Sequence, residues 1–284
     1  MTEVFLNGEF EMIEDARVSA MDAGLLLGAG LFETLRAYDR FVFRLDDHLE
    51  RLMASAKALE IPVALTARQI ADALAETIDR NELDDARCRI TLTRGALPAE
   101  DGADIEPTCL VTAGAMTPYD DRLYTGGMTV TVSDAPVNPS DPTVGHKTTA
   151  YMGNLLVLRA AHARGAQEAL RLNTRGQLCE GAISNVFVVR GGRLVTPPLE
   201  DGCLPGITRK VVLDLARDAG LEVAEESIGG PEVLQAEEMF LTNTIMEVMP
   251  VCRIERHAVG DETVGPMTRR LMDLYKAQVE LESA

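Results

Sequence analysis

The chain has 284 residues, of which 46% are hydrophobic and 25% charged, and its formal net charge is −18. That composition is ordinary for a globular protein and long enough for one or two domains, while so acidic a surface repels phosphate backbones and argues against nucleic acid as a partner. No stretch approaches the roughly 18 unbroken apolar residues of a membrane span, and the start of the chain lacks a basic segment followed by an apolar one, so the expected compartment is the cytoplasm.

In chain order, Val4–Asn7 and Glu9–Ile13 are predicted as short strands around a turn at Asn7-Gly8. A glycine-rich stretch, 24–30, precedes LFETLRAY (31–38), which alternates like a strand and is followed by a hairpin partner at 40–44. Asp46 is a plausible N-cap for a helix through HLERLMASAKALE, and a second helix is expected over 66–80. Strands are expected at 87–93 and 108–113. The polar segment around Pro118 and Gly126-Gly127 marks an interdomain loop, dividing a small domain, 1–118, from a larger one, 128–284, with 119–127 between them. The larger domain opens on a strand at 128–132 and a Pro/Asn/Asp-rich loop at 134–143. Helices are then expected at 151–164, 208–219, 231–236 and 265–280, with strands at 168–173, 184–189, 222–226, 238–242 and 248–254. Strands and helices mix without βαβ regularity, which points to an α+β fold.

Five cysteines (Cys88, Cys109, Cys179, Cys203 and Cys252) lack CxxC spacing and read as reduced thiols. The four histidines form no HxxxH or HExxH pattern, and no metal site is expected. Lysines number only four: Lys57, Lys147, Lys210 and Lys276. An acidic, lysine-poor chain would suit a high-salt cytoplasm, although GC-rich coding alone produces the same bias.

That scarcity leaves few candidates for amine chemistry. Lys147 follows a loop bearing Pro139, Pro142 and Gly145, and a lysine amine turns nucleophilic only when burial or cationic neighbours deprotonate it. Taken alone it reads more readily as a solvated lysine at a helix start, because most lysines are exposed. Glu180, in LCEGAISNVFVV, precedes a buried-looking strand and by itself resembles a surface turn glutamate. In GCLPGITRK, a helix opens directly after Pro205; its free N–H groups and dipole would suit a phosphate, and Thr208 either adds a hydroxyl donor or merely caps the helix. Thr244, in LTNT, ends a strand, and Arg51, in HLERL, falls on the polar side of its helix; either could reach a phosphate or meet water.

In combination and in this order, GLFETLRAY, HLERL, HKTTAYMGN, EGAISNVFVV, GCLPGITR and LTNTIMEVMPV resemble the class IV aminotransferases, the fold type IV enzymes of pyridoxal 5′-phosphate (PLP). That family includes branched-chain and D-amino acid aminotransferases and 4-amino-4-deoxychorismate lyase. The resemblance implies a small N-terminal α/β sandwich, a larger C-terminal pseudo-barrel domain and a homodimer. It implies that Lys147 carries PLP as a Schiff base and moves the proton between Cα and C4′. Glu180 would partner the pyridine nitrogen; Arg51, Ile207, Thr208 and Thr244 would form a phosphate cup; Tyr151, Ser184 and Asn185 would lie against the ring. Phe32, Thr34, Arg36 and Arg94 would line the substrate side.

Three departures bear on the substrate. Thr34 stands where branched-chain enzymes usually have glycine, and NTIME (243–247) where they usually have a GTAAE-like segment. The loop ALPAEDGAD (96–104) lacks the Arg-x-His that D-amino acid enzymes offer to a carboxylate, which leaves Arg36, Arg89 and Arg94 as candidates. The expected reaction is transfer of an amino group between a small amino acid, branched-chain L- or D-, and a 2-oxo acid. Pyruvate release from aminodeoxychorismate is the alternative, and a non-catalytic PLP-fold binding protein a more distant one.

Overall fold

The computed structural model describes residues 2–96 and 106–283; most of the loop compared with the Arg-x-His segment, 97–105, lies outside them. The chain forms two compact units, one from Met1–Thr117 and His146–Tyr151, the other from Pro118–Gly145 and Met152–Glu282. No helix among the described residues is long and apolar enough to cross a membrane.

The first unit contains β1 (Glu3–Leu6), β2 (Glu9–Met12), α1 (Ala23–Leu27), β3 (Gly30–Tyr38), β4 (Phe41–Val42), α2 (Leu45–Ala58), α3 (Ala67–Arg80), β5 (Ala86–Thr93) and β6 (Thr108–Ala115). The strands make one antiparallel sheet in the order β2-β1-β6-β5-β3-β4. At Asn7-Gly8 both residues take positive φ, 52° and 108°, as a two-residue hairpin turn demands. Strand alternation decides the two faces of the sheet. Leu31, Leu35 and Ala37 of β3 and Cys88, Ile90 and Leu92 of β5 join a core with Leu49, Leu52 and Ala56 of α2 and Ile70, Leu74 and Ile78 of α3. The residues between them, Phe32, Thr34 and Arg36, take the opposite face, paired with Thr91, Arg89 and Arg87.

Both helices start differently in detail. Thr66 caps α3 in a reciprocal box with Gln69. Helix α2 begins before Asp46: Arg44, at φ 55°, is its cap residue and makes no side-chain cap bond, so Asp46 and Asp47 sit in the first turn, where the dipole favours them.

The second unit contains α4 (Asp121–Gly126), β7 (Met128–Val132), α5 (Met152–Ala163), β8 (Glu168–Leu172), β9 (Leu178–Gly181), β10 (Asn185–Arg190), β11 (Arg193–Thr196), α6 (Ile207–Asp218), β12 (Val223–Glu225), α7 (Gly230–Val233), β13 (Glu238–Asn243), β14 (Glu247–Ile254), β15 (His257–Ala258) and α8 (Pro266–Ser283). The sheet order is β12-β11-β10-β13-β14-β7-β8-β9, with β15 on β14. Parallel pairs join β7 to both β14 and β8, and β11 to β12; the other pairs are antiparallel. Since β9 also lies against β10, the sheet curls into a barrel-like layer. This is the α+β, pseudo-barrel architecture the motifs imply.

Two local differences have simple causes. The stretch suggested as an interdomain loop, 119–127, carries α4, because Asp120 accepts from the Arg122 N–H at 2.9 Å and caps a six-residue helix. Glu180 belongs to a strand, β9, paired with Arg171 of β8, and not to a surface turn.

Candidate active site

In the first unit the segment His146–Tyr151 runs along the start of β3. The Phe32 N–H donates to the Lys147 carbonyl and the Thr149 N–H to the Gly30 carbonyl, each at 2.9 Å. Lys57, Lys210 and Lys276 are exposed, whereas Lys147 is half-buried. Its Nζ lies 4.5 Å from the ring centre of Phe32 and 5.7 Å from that of Tyr151, and the two rings meet edge to face at 5.3 Å. The Arg89 guanidinium stacks 3.9 Å over Phe32, and its Nε donates to Thr91 at 3.1 Å. Burial, then the charge of Arg87, pushes the Arg89 pKa below its ordinary value, and among the described residues no carboxylate pairs with it.

Arg51 does not lie on the wet side of α2. Its side chain is 11% exposed and turns towards β3, where Nε and Nη2 bond the two oxygens of Glu33 at 2.8 and 2.5 Å. His48, one turn earlier on the same face of α2, bonds Glu33 Oε2 through Nδ1 at 2.8 Å. Burial raises the Glu33 pKa, but the charge of Arg51 and the bonds from His48 and Arg51 outweigh it and hold the carboxyl down to about 2. Phe32, Thr34 and Arg36 share one sheet face, and Arg36 stacks 4.3 Å from the Tyr38 ring. Arg94 follows the end of β5, and its guanidinium reaches the Glu60 carbonyl beyond α2, at 3.4 Å, not the Phe32 face.

In the second unit the backbone of Leu204 is bracketed: Glu180 Oε2 accepts its N–H at 2.9 Å, and Asn185 Nδ2 donates to its carbonyl at 2.8 Å. Those bonds deliver the chain to Gly206, the N-cap of α6. A Cβ on Gly206 would stand 1.9 Å from Asn185 Oδ1, so any larger residue must displace that side chain. Thr208 is therefore inside the helix and not its cap, and both it and Ile207 are buried. Ser184 Oγ donates to Glu168 Oε2 at 3.0 Å, and the Ala182 and Ile183 N–H groups donate to the same carboxylate. Burial pushes the Glu168 pKa up, opposed by these bonds. Asn243 organises the turn that carries Thr244: Oδ1 accepts from the N–H groups of Ile245 and Met246, and Nδ2 donates to the Ile183 carbonyl.

Within the first unit, then, the structure gathers Lys147, Tyr151 and Phe32, and separately ties Arg51 to Glu33. Within the second it connects Glu180, Asn185 and the start of α6 through Leu204, and Ser184 to the Asn243–Thr244 turn through the 182–184 segment. Glu33, His48, Glu168 and Asn243 are the participants that the motifs do not single out. Two had a visible signal: Glu33 sits at a core position between Leu31 and Leu35, and Glu168 opens an apolar strand, and a carboxylate on a buried face needs donors.

A family model described as amino-transferase class IV matches residues 30–254. A protein of Methanocaldococcus jannaschii whose provisional name is branched-chain-amino-acid aminotransferase is 38% identical over 276 residues, covering 96% of this chain and 95% of its own. The D-alanine aminotransferase of Staphylococcus haemolyticus is 33% identical over 289 residues, covering all of both chains. The branched-chain amino acid aminotransferase of Thermobaculum terrenum, in a crystal structure of its PLP form, superposes with a TM-score of 0.88 at 29% identity, over 98% of this chain and 94% of that one.

Proposed function

We infer the role of these residues from the premise that the chain belongs to the class IV aminotransferases, a membership carried by the family match over residues 30–254. It is a PLP-dependent enzyme that moves an amino group between an amino acid and a 2-oxo acid. Its residues fit that cofactor. Gly206 has no side chain with which to cap α6, so the N–H groups of a buried first turn are available to an anion. Thr242 Oγ1, in the strand leading to Thr244, is buried with no hydrogen-bond partner among the described residues. When bound, PLP supplies an aldehyde carbon that takes up the amino group and a pyridinium ring that draws electrons from the substrate α-carbon.

In our reading Lys147 would hold the cofactor through Nζ, and the same amine, when free, would serve as the general base that moves the substrate Cα proton. Phe32 and Tyr151 flank Nζ and limit the directions in which it swings. Glu180, fixed through Oε2 by the Leu204 N–H, keeps the pyridine nitrogen protonated. Arg51, the N–H of Ile207, Thr208 and Thr244 hold the phosphate, with Ser184 and Asn185 beneath the ring. Phe32, Thr34 and Arg36 face the substrate. Arg89, stacked on Phe32, is better placed than Arg94 for a substrate carboxylate. The names of the archaeal relative and of the Thermobaculum terrenum enzyme favour a branched-chain donor. The reading includes a homodimer, supported by the exposed run Leu25–Leu27, and the cytoplasm, supported by five free, buried cysteines.

The observation that carries it is that Lys147 alone of four lysines is withdrawn from water and packed against aromatic rings. Borohydride reduction of the PLP-loaded enzyme, followed by peptide mass mapping, is expected to place the phosphopyridoxyl group on Lys147. A label on another lysine, or labelling undiminished in Lys147→Arg, overturns the assignment. Branched-chain 2-oxo acid formed only when an acceptor 2-oxo acid is supplied supports the transferase; a preference for D-alanine, or pyruvate from aminodeoxychorismate without acceptor, overturns the branched-chain reading.

A further inference from the structure

Glu33 lies on the helix-facing side of β3 between two core leucines and is 1% exposed. An apolar side chain would complete that stripe. Removing a carboxylate and a guanidinium from water is costly, and replacing such buried pairs with well-packed apolar groups commonly leaves a protein as stable or more so. Stability therefore does not explain the pair. What it provides is geometry: Nε and Nη2 of Arg51 meet Oε1 and Oε2 in a two-pronged fork, and His48 Nδ1 holds Oε2 as well. Both carboxylate oxygens are engaged, so the group cannot turn, and the plane of the guanidinium is set.

We propose that Glu33 is a positioning residue for cofactor binding, clamping the Arg51 guanidinium in the orientation in which it meets the phosphate of PLP. This rests on the assignment of Arg51 to that phosphate. Arginine carries a long, many-rotamer side chain, and ordering it at the moment of binding costs affinity. With Glu33 in place the ordering precedes the ligand. The carboxyl, held at about 2, stays ionised throughout the physiological range, so the clamp does not open with pH.

The test is equilibrium binding to apoenzyme, followed by absorbance, with PLP and with pyridoxal, which lacks the phosphate. E33Q is expected to weaken PLP by roughly 10–100-fold, the range seen when the hydrogen-bonded partner that orients a metal-binding side chain is removed, and to leave pyridoxal within about twofold. In a double-mutant cycle E33Q adds little to R51Q, because Glu33 acts through Arg51. Equal weakening of PLP and pyridoxal, full additivity, or an unchanged PLP affinity in E33Q while R51Q weakens it would overturn the inference. PLP affinity unchanged in R51Q would instead overturn the phosphate assignment of Arg51. If E33Q does not fold, E33D keeps the charge on a shorter arm and is read in the same cycle with the same outcomes.

Discussion

His48 is 1% exposed and takes up a proton less readily than a histidine in water. Burial is the main cause; the bond to Glu33 opposes it, and the charges of Arg51 and Lys147 reinforce it. The linkage has a definite sign. The unfolded chain protonates this imidazole below its ordinary value of 6.5, while the folded protein holds it neutral to lower pH. Proton uptake then favours unfolding, so His48 costs stability increasingly as pH falls below 6.5 and adds no dependence above it. Urea midpoints measured from pH 7.5 to 5.5 should fall less steeply in His48→Asn than in the parent. At pH 7.5 the variant should be less stable by about 1.5–3 kcal/mol for the lost bond to a charged group, a deficit that narrows as pH falls. Parallel slopes in the two proteins would contradict this account. Arg51 shows why such detail escapes a sequence. Its helical position predicts a wet side chain, and only a carboxylate 18 residues away on a strand turns it inward.

At the scale of elements, the start of α6 depends on a glycine whose role is contact, not conformation. Gly206 has φ −68° and ψ 138°, open to any residue, but its missing Cβ leaves room for Asn185 Oδ1. Gly206→Ala must displace Asn185 and with it the bond to the Leu204 carbonyl. Overpacking of this kind costs about 1–3 kcal/mol. Thermal melts of the apoenzyme should register that loss, and PLP affinity should fall with it, since the same displacement moves the first turn of α6; an unaltered PLP affinity would show that this helix end does not hold the phosphate. The helices and strands with long apolar periodicity were legible from pattern alone, as α3, β3, β7 and β14 illustrate. Elements shorter than the pattern were not: α4 is six residues capped by Asp120, and β9 is four residues ending in glycine. Whether Thr208 caps α6 or lies inside it stays open in the sequence, because a threonine after Pro-Gly-Ile satisfies the usual cap rule, whereas bonds linking Glu180 and Asn185 to Leu204 set where the helix begins, with Gly206 as the cap.

For the whole molecule the order of motifs along the chain identified the architecture, because each motif marks a place where the backbone must serve chemistry as well as packing. The assembly is less legible, since a surface leaves no period in a sequence. The chain carries a net charge of −18, yet Leu25, Leu26 and Leu27 stand 69%, 48% and 67% exposed on one short helix, with Met21 beside it 56% exposed. Consecutive apolar residues held in water next to so many acids favour a covered face. If that cover is a second copy related by two-fold symmetry, each substitution acts twice. Leu25→Asp removes an apolar contact worth about 1.5–3 kcal/mol per subunit, so the dimer dissociation constant should rise by roughly 100-fold or more. The like charge of the two copies adds a second signature: association should tighten as salt is raised, because screening relieves repulsion while apolar burial is not weakened. Sedimentation or light scattering across protein and salt concentration measures both effects. A monomer at every concentration, or a dimer indifferent to Leu25→Asp, would show that this face is not the one that joins the copies.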